Sequence, residues 1–261
     1  MTGLCAHRPD AIGLAGDPAS PIHRLDPRAK LVALVTVTVV AVSTHIGAWP
    51  VWLGCVLALA AVAAAARVDV GTLWRRARVV LPLVLLAGVF VPFVRSGGTE
   101  WDVGPLSVSS AGLAIFAAVA AKAAIGTISA VLLGATTTFP DVLQALGRLR
   151  APRLLILIAA FMYRYLFVIV DEVQRMRAAL AARGYRPRHV LQAAAAGRVA
   201  AALFLRTFAR GERVYLSMLA RGYRGTMPST ETLTLRGMDV AFGVLVVAPL
   251  LVLRVAAELS L

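Results

Sequence analysis

Residues 111–135 read AGLAIFAAVAAKAAIGTISAVLLGA, 25 positions of which only Lys122 is charged. A helix needs about 20 mostly apolar residues to cross a bilayer, so this run is predicted to be a membrane span. Working outward, four more runs read the same way. Residues 31–47 and 50–66 form a tight helical hairpin broken at Ala48-Trp49-Pro50. Residues 79–94 follow, with Pro82 and Pro92 near their ends, and residues 240–257 carry Pro249 inside and Arg254 near the end.

The whole chain agrees with that opening run. It has 261 residues, 59% of them hydrophobic and 15% charged, and a mean hydropathy of +0.80. A soluble domain carries about 45–50% apolar and about 25% charged residues. The composition excludes a disordered chain and argues against an ordinary soluble enzyme. The net charge is +14. A nucleic-acid partner is not expected, because such a binder gathers its charge on a water-facing polar surface. Here the basic residues sit between apolar runs, as in the cytoplasmic loops of a membrane protein. Cys5 and Cys55 make neither a disulfide framework nor a metal-ligand spacing. Residues 1–30 are polar and Pro-rich without the order of a signal peptide, so the first run reads as a retained span.

Loop charges set the orientation. Arg24, Arg28 and Lys30 precede the first span and place the N-terminus in the cytoplasm. Arg67, Arg75, Arg76 and Arg78 follow the second span, and Arg148, Arg150 and Arg153 follow the fourth. Glu100 and Asp102 fall in the outer loop after the third.

Residues 154–170 are apolar but hold Arg164 at their middle. Were they to cross, residues 171–239 would lie outside with arginines at 175, 177, 183, 186, 188, 198, 206, 210, 213, 221, 224 and 236 against five acids. That violates the positive-inside bias. Residues 154–170 are therefore expected in or under the cytoplasmic leaflet, packed on the bundle. The expected plan is all-α: a cytoplasmic arm (1–30), a four-span domain (31–135), a basic cytoplasmic insertion (136–239) and a C-terminal span (240–261).

Two amphipathic helices are expected in the insertion, over about 152–183 and 199–221. Leu203, Phe204, Leu205, Phe208, Val214, Tyr215, Met218 and Leu219 give the second an apolar surface, and Arg206, Arg210 and Arg213 a basic stripe. Both close on the same five letters, Ala182-Arg183-Gly184-Tyr185-Arg186 and Ala220-Arg221-Gly222-Tyr223-Arg224. Each copy by itself reads as a helix stop, with glycine just past the end and arginine complementing the helix dipole. Together they also read as two matched tips that expose Arg and Tyr to a two-fold-related partner.

Catalytic signals are missing. There is no phosphate-binding GxxxxGK[ST], and lysine occurs only at 30 and 122. His7, His23, His45 and His189 are scattered, and His23 reads as a solvated turn histidine. Asp171 and Glu172 read as partners of Arg175 one turn on. Asp26-Pro27 reads as a helix start. No motif supports the rival reading as a membrane-embedded enzyme. A second rival, a scaffold whose basic helices lie on anionic lipid, explains the arginines but not the matched tips. A coupler whose energy comes from another chain fits best.

Several segments resemble the transmembrane T component of energy-coupling-factor (ECF) transporters, in its cobalt-type CbiQ branch. They are HRLDPRAKL (23–31), FPDVLQAL (139–146), Tyr163-Arg164-Tyr165 through Asp171-Glu172 and Arg175-Met176-Arg177, and the paired Ala182-Arg183-Gly184 and Ala220-Arg221-Gly222. The resemblance implies about five membrane helices plus long amphipathic coupling helices in a bacterial inner membrane. It implies that Ala182, Arg183, Gly184, Ala220, Arg221 and Gly222 dock on two cytoplasmic ABC ATPase subunits. Motion driven by ATP on those subunits would pass to a substrate-binding membrane S subunit. The T component itself holds no cofactor or metal and is not an enzyme. The branch points to cobalt or nickel, while a T component serving a vitamin would share both Ala-Arg-Gly motifs.

Overall fold

The computed structural model describes residues 20, 22–23, 25–45, 47–69, 71, 73–75, 78, 100–103, 106–185, 193–225 and 236–259; for 100–103, 106–110 and 193–196 it describes the backbone alone. In chain order the elements are α1 (Pro27–Ser43), α2 (Trp49–Ala65), β1 (Glu100–Val103), β2 (Leu106–Ser109), α3 (Ser110–Thr136), α4 (Phe139–Arg148), α5 (Arg153–Ala182), α6 (Ala193–Ala220) and α7 (Gly237–Leu259). The architecture is all-α. One departure is local: the stretch expected as a plain outer loop pairs β1 with β2 antiparallel, from Glu100↔Ser109 to Val103↔Leu106. The expected third span, 79–94, lies outside the described residues.

The chain divides into two compact units, Met1–Ala145 with Leu233–Leu261, and Leu146–Thr232. In the first, α1 and α2 each pack against α3 and α7. Val37, Val40, Val51, Cys55, Leu132 and Leu250 are buried at the seam. The outward positions are just as apolar: Val35, Val39, Leu53, Leu57, Leu245 and Val252 are exposed. Helices apolar on every face belong in a protein core or in lipid, and these reach beyond the core. Ala111–Thr136, Arg153–Ala182 and Gly237–Leu259 are long and apolar enough to cross a membrane. The helices α1 and α2 have 17 residues each, about 25 Å at 1.5 Å per residue, the short limit for a span.

Cations inside apolar runs need partners, and the end of α1 supplies them. Lys122 Nζ donates to the Val42 carbonyl at 2.8 Å. Arg254 donates to Ser43 Oγ and pairs with Glu258 one turn on. Two cations thus meet the negative end of the α1 dipole. Close approach of α2 and α7 rests on Gly54, where an added Cβ would stand 3.0 Å from Leu253 Cδ1 and 3.3 Å from Leu250 Cδ2. Between α2 and α3 lies an apolar groove of about 850 Å³ whose lining includes Trp49, Trp52 and Trp74.

Candidate functional site

The second unit is built on α5 and α6; α5 lies within one residue of its expected bounds, and α6 begins six residues before its expected start. In α6 the half-buried residues are Leu203, Thr207, Val214 and Met218 along with Val199, and these repeat at helical spacing on one line. Phe204, Leu205, Phe208, Tyr215, Leu216 and Leu219 on the next face are exposed. Arg206, Arg210 and Arg213 are exposed beside them. Residues 154–170 fall within α5, of which no residue is buried. Its exposed side chains Leu154, Ile158, Met162, Leu166 and Val170 repeat every four residues. A row of that spacing drifts slowly around the helix and leaves one apolar stripe outward.

The repeated five letters produce one repeated geometry. At the end of α5, Tyr185 N–H donates to the Leu180 carbonyl at 3.1 Å and Gly184 N–H to Ala181 at 3.0 Å. At the end of α6, Tyr223 N–H donates to Met218 at 3.0 Å and Gly222 N–H to Leu219 at 2.9 Å. Both are Schellman caps, which need a left-handed residue after the last turn. Gly184 and Gly222 supply it with φ of +74° and +82°. The same pair of bonds closes α2 with Arg67 (φ +51°) in the left-handed place, and the longer of the two, from Ala151 N–H to the Leu146 carbonyl, closes α4 around Arg150 (φ +65°). At the two tips glycine takes that place, and Arg183 and Arg221 stand one residue earlier, exposed. Ala182 and Ala220 are the last helical residues and carry no bulk beside them.

One carboxylate ties the two helices. Glu172, beyond the apolar run 154–170, accepts from Arg175 at 2.7 Å within α5, as the spacing predicts, and from Arg206 of α6 at 2.5 Å. The hydrogen bonds from Arg175 and then Arg206 hold its carboxyl below the usual glutamate range. The Arg206 contact joins residues 34 apart, a distance at which no local spacing rule operates.

A second polar cluster lies in the first unit, and its long-range contacts have no spacing signal in the sequence. His23, which the sequence reads as a solvated turn residue, is half-buried instead: its Nδ1 meets Ser20 Oγ at 2.7 Å and its Nε2 the Ala135 carbonyl at 3.1 Å. A carbonyl only accepts, so Nε2 carries the hydrogen and Nδ1 takes the serine proton. Lys30 Nζ donates to the Thr136 carbonyl at 2.9 Å. Asp26 caps α1 through the Arg28 N–H at 2.9 Å, as expected of Asp-Pro, and its own N–H donates to Asp239 Oδ1 at 2.8 Å. Asp239 Oδ2 accepts the Arg236 N–H at 2.7 Å. Asp26, Lys30, Thr136 and Asp239 are all buried. Among the described residues, no group of three or more His, Cys, Asp or Glu is placed to hold a metal ion.

Comparison with known proteins places this geometry. The family model described as CbiQ, cobalt transport protein, matches residues 18–232. The cobalt transport protein CbiQ of Rhodobacter capsulatus is 32% identical over 180 residues, 64% of this chain and 71% of that one. The energy-coupling factor transporter transmembrane protein EcfT of Ruminiclostridium cellulolyticum is 25% identical over 230 residues, 83% of this chain and 85% of that one. A protein of Methanocorpusculum labreanum described as a CbiMQ cobalt transport fusion is 25% identical over 221 residues, 82% of this chain. The chain spans only 33–40% of the length of that fusion and of three further curated relatives. Fold, apolar helices and relatives define the class: a multi-pass membrane protein of the kind named as transmembrane components of ECF-type transporters. Within that class, the chain belongs to the CbiQ cobalt transport protein family.

Proposed function

We propose that this chain is the T subunit of an ECF-type importer for cobalt or nickel. Arg183 and Arg221 dock on two cytoplasmic ABC ATPase subunits, and 146–232 passes their motion to a substrate-binding S subunit in the bilayer. The observation that carries the reading is the pair of identical caps, each presenting an exposed arginine at a helix tip. A guanidinium held at a fixed backbone position offers a planar set of donors to acidic or carbonyl groups. Two such tips suit two like pockets on a symmetric ATPase pair. The exposed apolar stripes of α5 and α6 supply surface for the S subunit and for lipid.

ATP is bound and hydrolysed on the partner subunits, and this chain holds no cofactor and catalyses nothing. The N-terminus lies in the cytoplasm, and the arginine surplus of 171–239 keeps α5 and α6 on that side although α5 is long enough to cross. Cobalt is supported by the family and by the Rhodobacter relative's name; the EcfT relatives leave a vitamin as the alternative cargo.

The test is co-expression of the tagged chain with ABC ATPase and S subunits from the same cell. A complex that hydrolyses ATP and takes up radioactive cobalt(II) is expected. A complex without metal uptake transfers the substrate to vitamins. Absence of any ATPase on the purified chain overturns the coupling role, and salt-sensitive binding to anionic liposomes would then favour the scaffold. For topology, a cysteine at Gly225 should resist an impermeant thiol reagent added outside intact cells.

A further inference from the structure

The residues between Ser20 and Lys30 touch the end of α3 and the start of α7, both within the first unit. The chain passes out of that unit after Ala145 and back before Leu233. The helix α3 precedes the first passage. Its last carbonyls, Ala135 and Thr136, are orphans of a helix C-terminus, and His23 and Lys30 satisfy them. The short link beyond is fixed in turn, because Thr138 and Asp141 cap α4 reciprocally: Thr138 Oγ1 donates to Asp141 Oδ2 at 2.5 Å, and Asp141 N–H to Thr138 Oγ1 at 3.4 Å.

The helix α7 follows the second passage. In its first turn, Asp239 folds back on the Arg236 N–H with one oxygen and holds the Asp26 N–H with the other. Residues 26 and 239 are 213 apart in sequence, yet this bond is buried. Buried charged groups are costly unless fully engaged. Neither the α1 start, capped by Asp26, nor the α7 start, capped by Asp239, requires the bond between them.

We propose that Lys30 and Asp239 are positioning residues for energy coupling. With His23 and Asp26 they clamp the end of α3 and the start of α7 to one short segment. A displacement of 146–232 then reaches α3 and α7 as a common motion rather than bending the links separately. This rests on the reading of 146–232 as the coupling module.

The test uses the full chain with its ATPase and S subunits, in a background where Cys5 and Cys55 are alanine. Spin labels go on cysteines replacing Phe139 and Met238, both exposed and one on each side of the clamp. Asp239→Asn leaves one carboxamide oxygen for two amides, and Lys30→Leu removes the donor to Thr136. Either change should broaden the distance distribution between the labels. Cobalt(II) taken up per ATP hydrolysed should fall about tenfold, within the usual span of coupling effects, while ATPase co-purification stays intact. Lys30→Gln keeps an N–H donor and should restore part of the ratio. Loss of uptake and hydrolysis in equal proportion, or an unchanged distribution, overturns the clamp. Failure of the wild-type chain to retain ATPase subunits sinks the coupling reading instead, and the label distribution still decides whether the clamp exists.

Discussion

The unit of α1, α2, α3 and α7 and the 146–232 unit are held together in opposite ways. In the first, a buried apolar seam joins α1 and α2 to α3 and α7, and Lys30 and Asp239 at the ends of the bundle are buried and hydrogen-bonded. In the second, α5 has no buried residue, and the polar tie to α6 runs through Glu172 and an arginine 64% exposed. Packing density sets rigidity, because closely packed side chains resist displacement. The bundle is therefore built to keep its shape, and the α5–α6 pair to take its angle from what grips it. Cap chemistry points the same way. Where a helix merely ends, at Arg67 and Arg150, an arginine occupies the left-handed position; where a tip is presented, glycine does.

The largest expected effect tests the tips. Arg183→Glu or Arg221→Glu should each weaken ATPase docking, since a hydrogen bond to a charged group is worth about 1.5–3 kcal/mol. The double change should abolish docking and uptake while the spans remain folded. Pull-down of the ATPase subunits beside a thermal melt of the purified chain measures both. Normal co-purification by the double variant would remove the functional distinction between the two units.

Next comes a change confined to the bundle. Gly54→Val places branched bulk where even a Cβ meets Leu253 and Leu250 at 3.0 and 3.3 Å. Overpacking of this kind costs about 1–3 kcal/mol. It should lower the melting midpoint of the chain in detergent and leave the ATPase pull-down per folded molecule unchanged. If docking falls while the midpoint holds, the bundle is not the rigid partner described.

A smaller pair of changes compares the caps. Gly184→Ala and Gly222→Ala force a Cβ into the left-handed region at about 1 kcal/mol each. Arg150→Gly relieves a similar cost at the end of α4. Amide exchange should quicken at Tyr185 and Tyr223 in the first two variants and slow at Ala151 in the third, as each cap's bridging N–H reports its own closure. Equal exchange in all three would mean that the glycines serve no conformational purpose.

What can be read from the sequence follows from the range of the interactions concerned. The helices α1, α2, α3 and α7 announce themselves by apolar run length, and Asp26-Pro27 and the two Arg-Gly-Tyr ends by local cap chemistry. Each involves residues within a few positions of one another. The clamp is illegible there because the Asp26–Asp239 bond crosses 213 positions, and nothing in a spacing pattern distinguishes Asp239 from any other acid at a helix start. His23 misleads for the same reason: its partner is a backbone carbonyl of α3, and a carbonyl has no sequence signature.

The smallest effect concerns the tie between α5 and α6. The Glu172 carboxyl is held below its usual range by Arg175 and Arg206. A carboxyl whose pKa is lower in the pair than out of it stabilises the pair above the unpaired value, about 4.3 for glutamate. That contribution is lost as pH falls through the lowered value. Labels on Gln174 and Ala209 should therefore report a constant α5–α6 separation near neutrality and a looser one in acid. Exposed ion pairs are weak and salt-screened, so the change should be modest and added salt should reproduce part of it. Glu172→Arg combined with Arg206→Glu keeps opposite charges across the seam but sets the introduced guanidinium near that of Arg175. It should restore the tie that either single change loosens, though only in part. A separation that ignores acid, salt and both single changes would show that the thin apolar line of Leu203, Val214 and Met218 holds the helices alone, and the second unit would then be nearer to the first in kind than its exposure indicates.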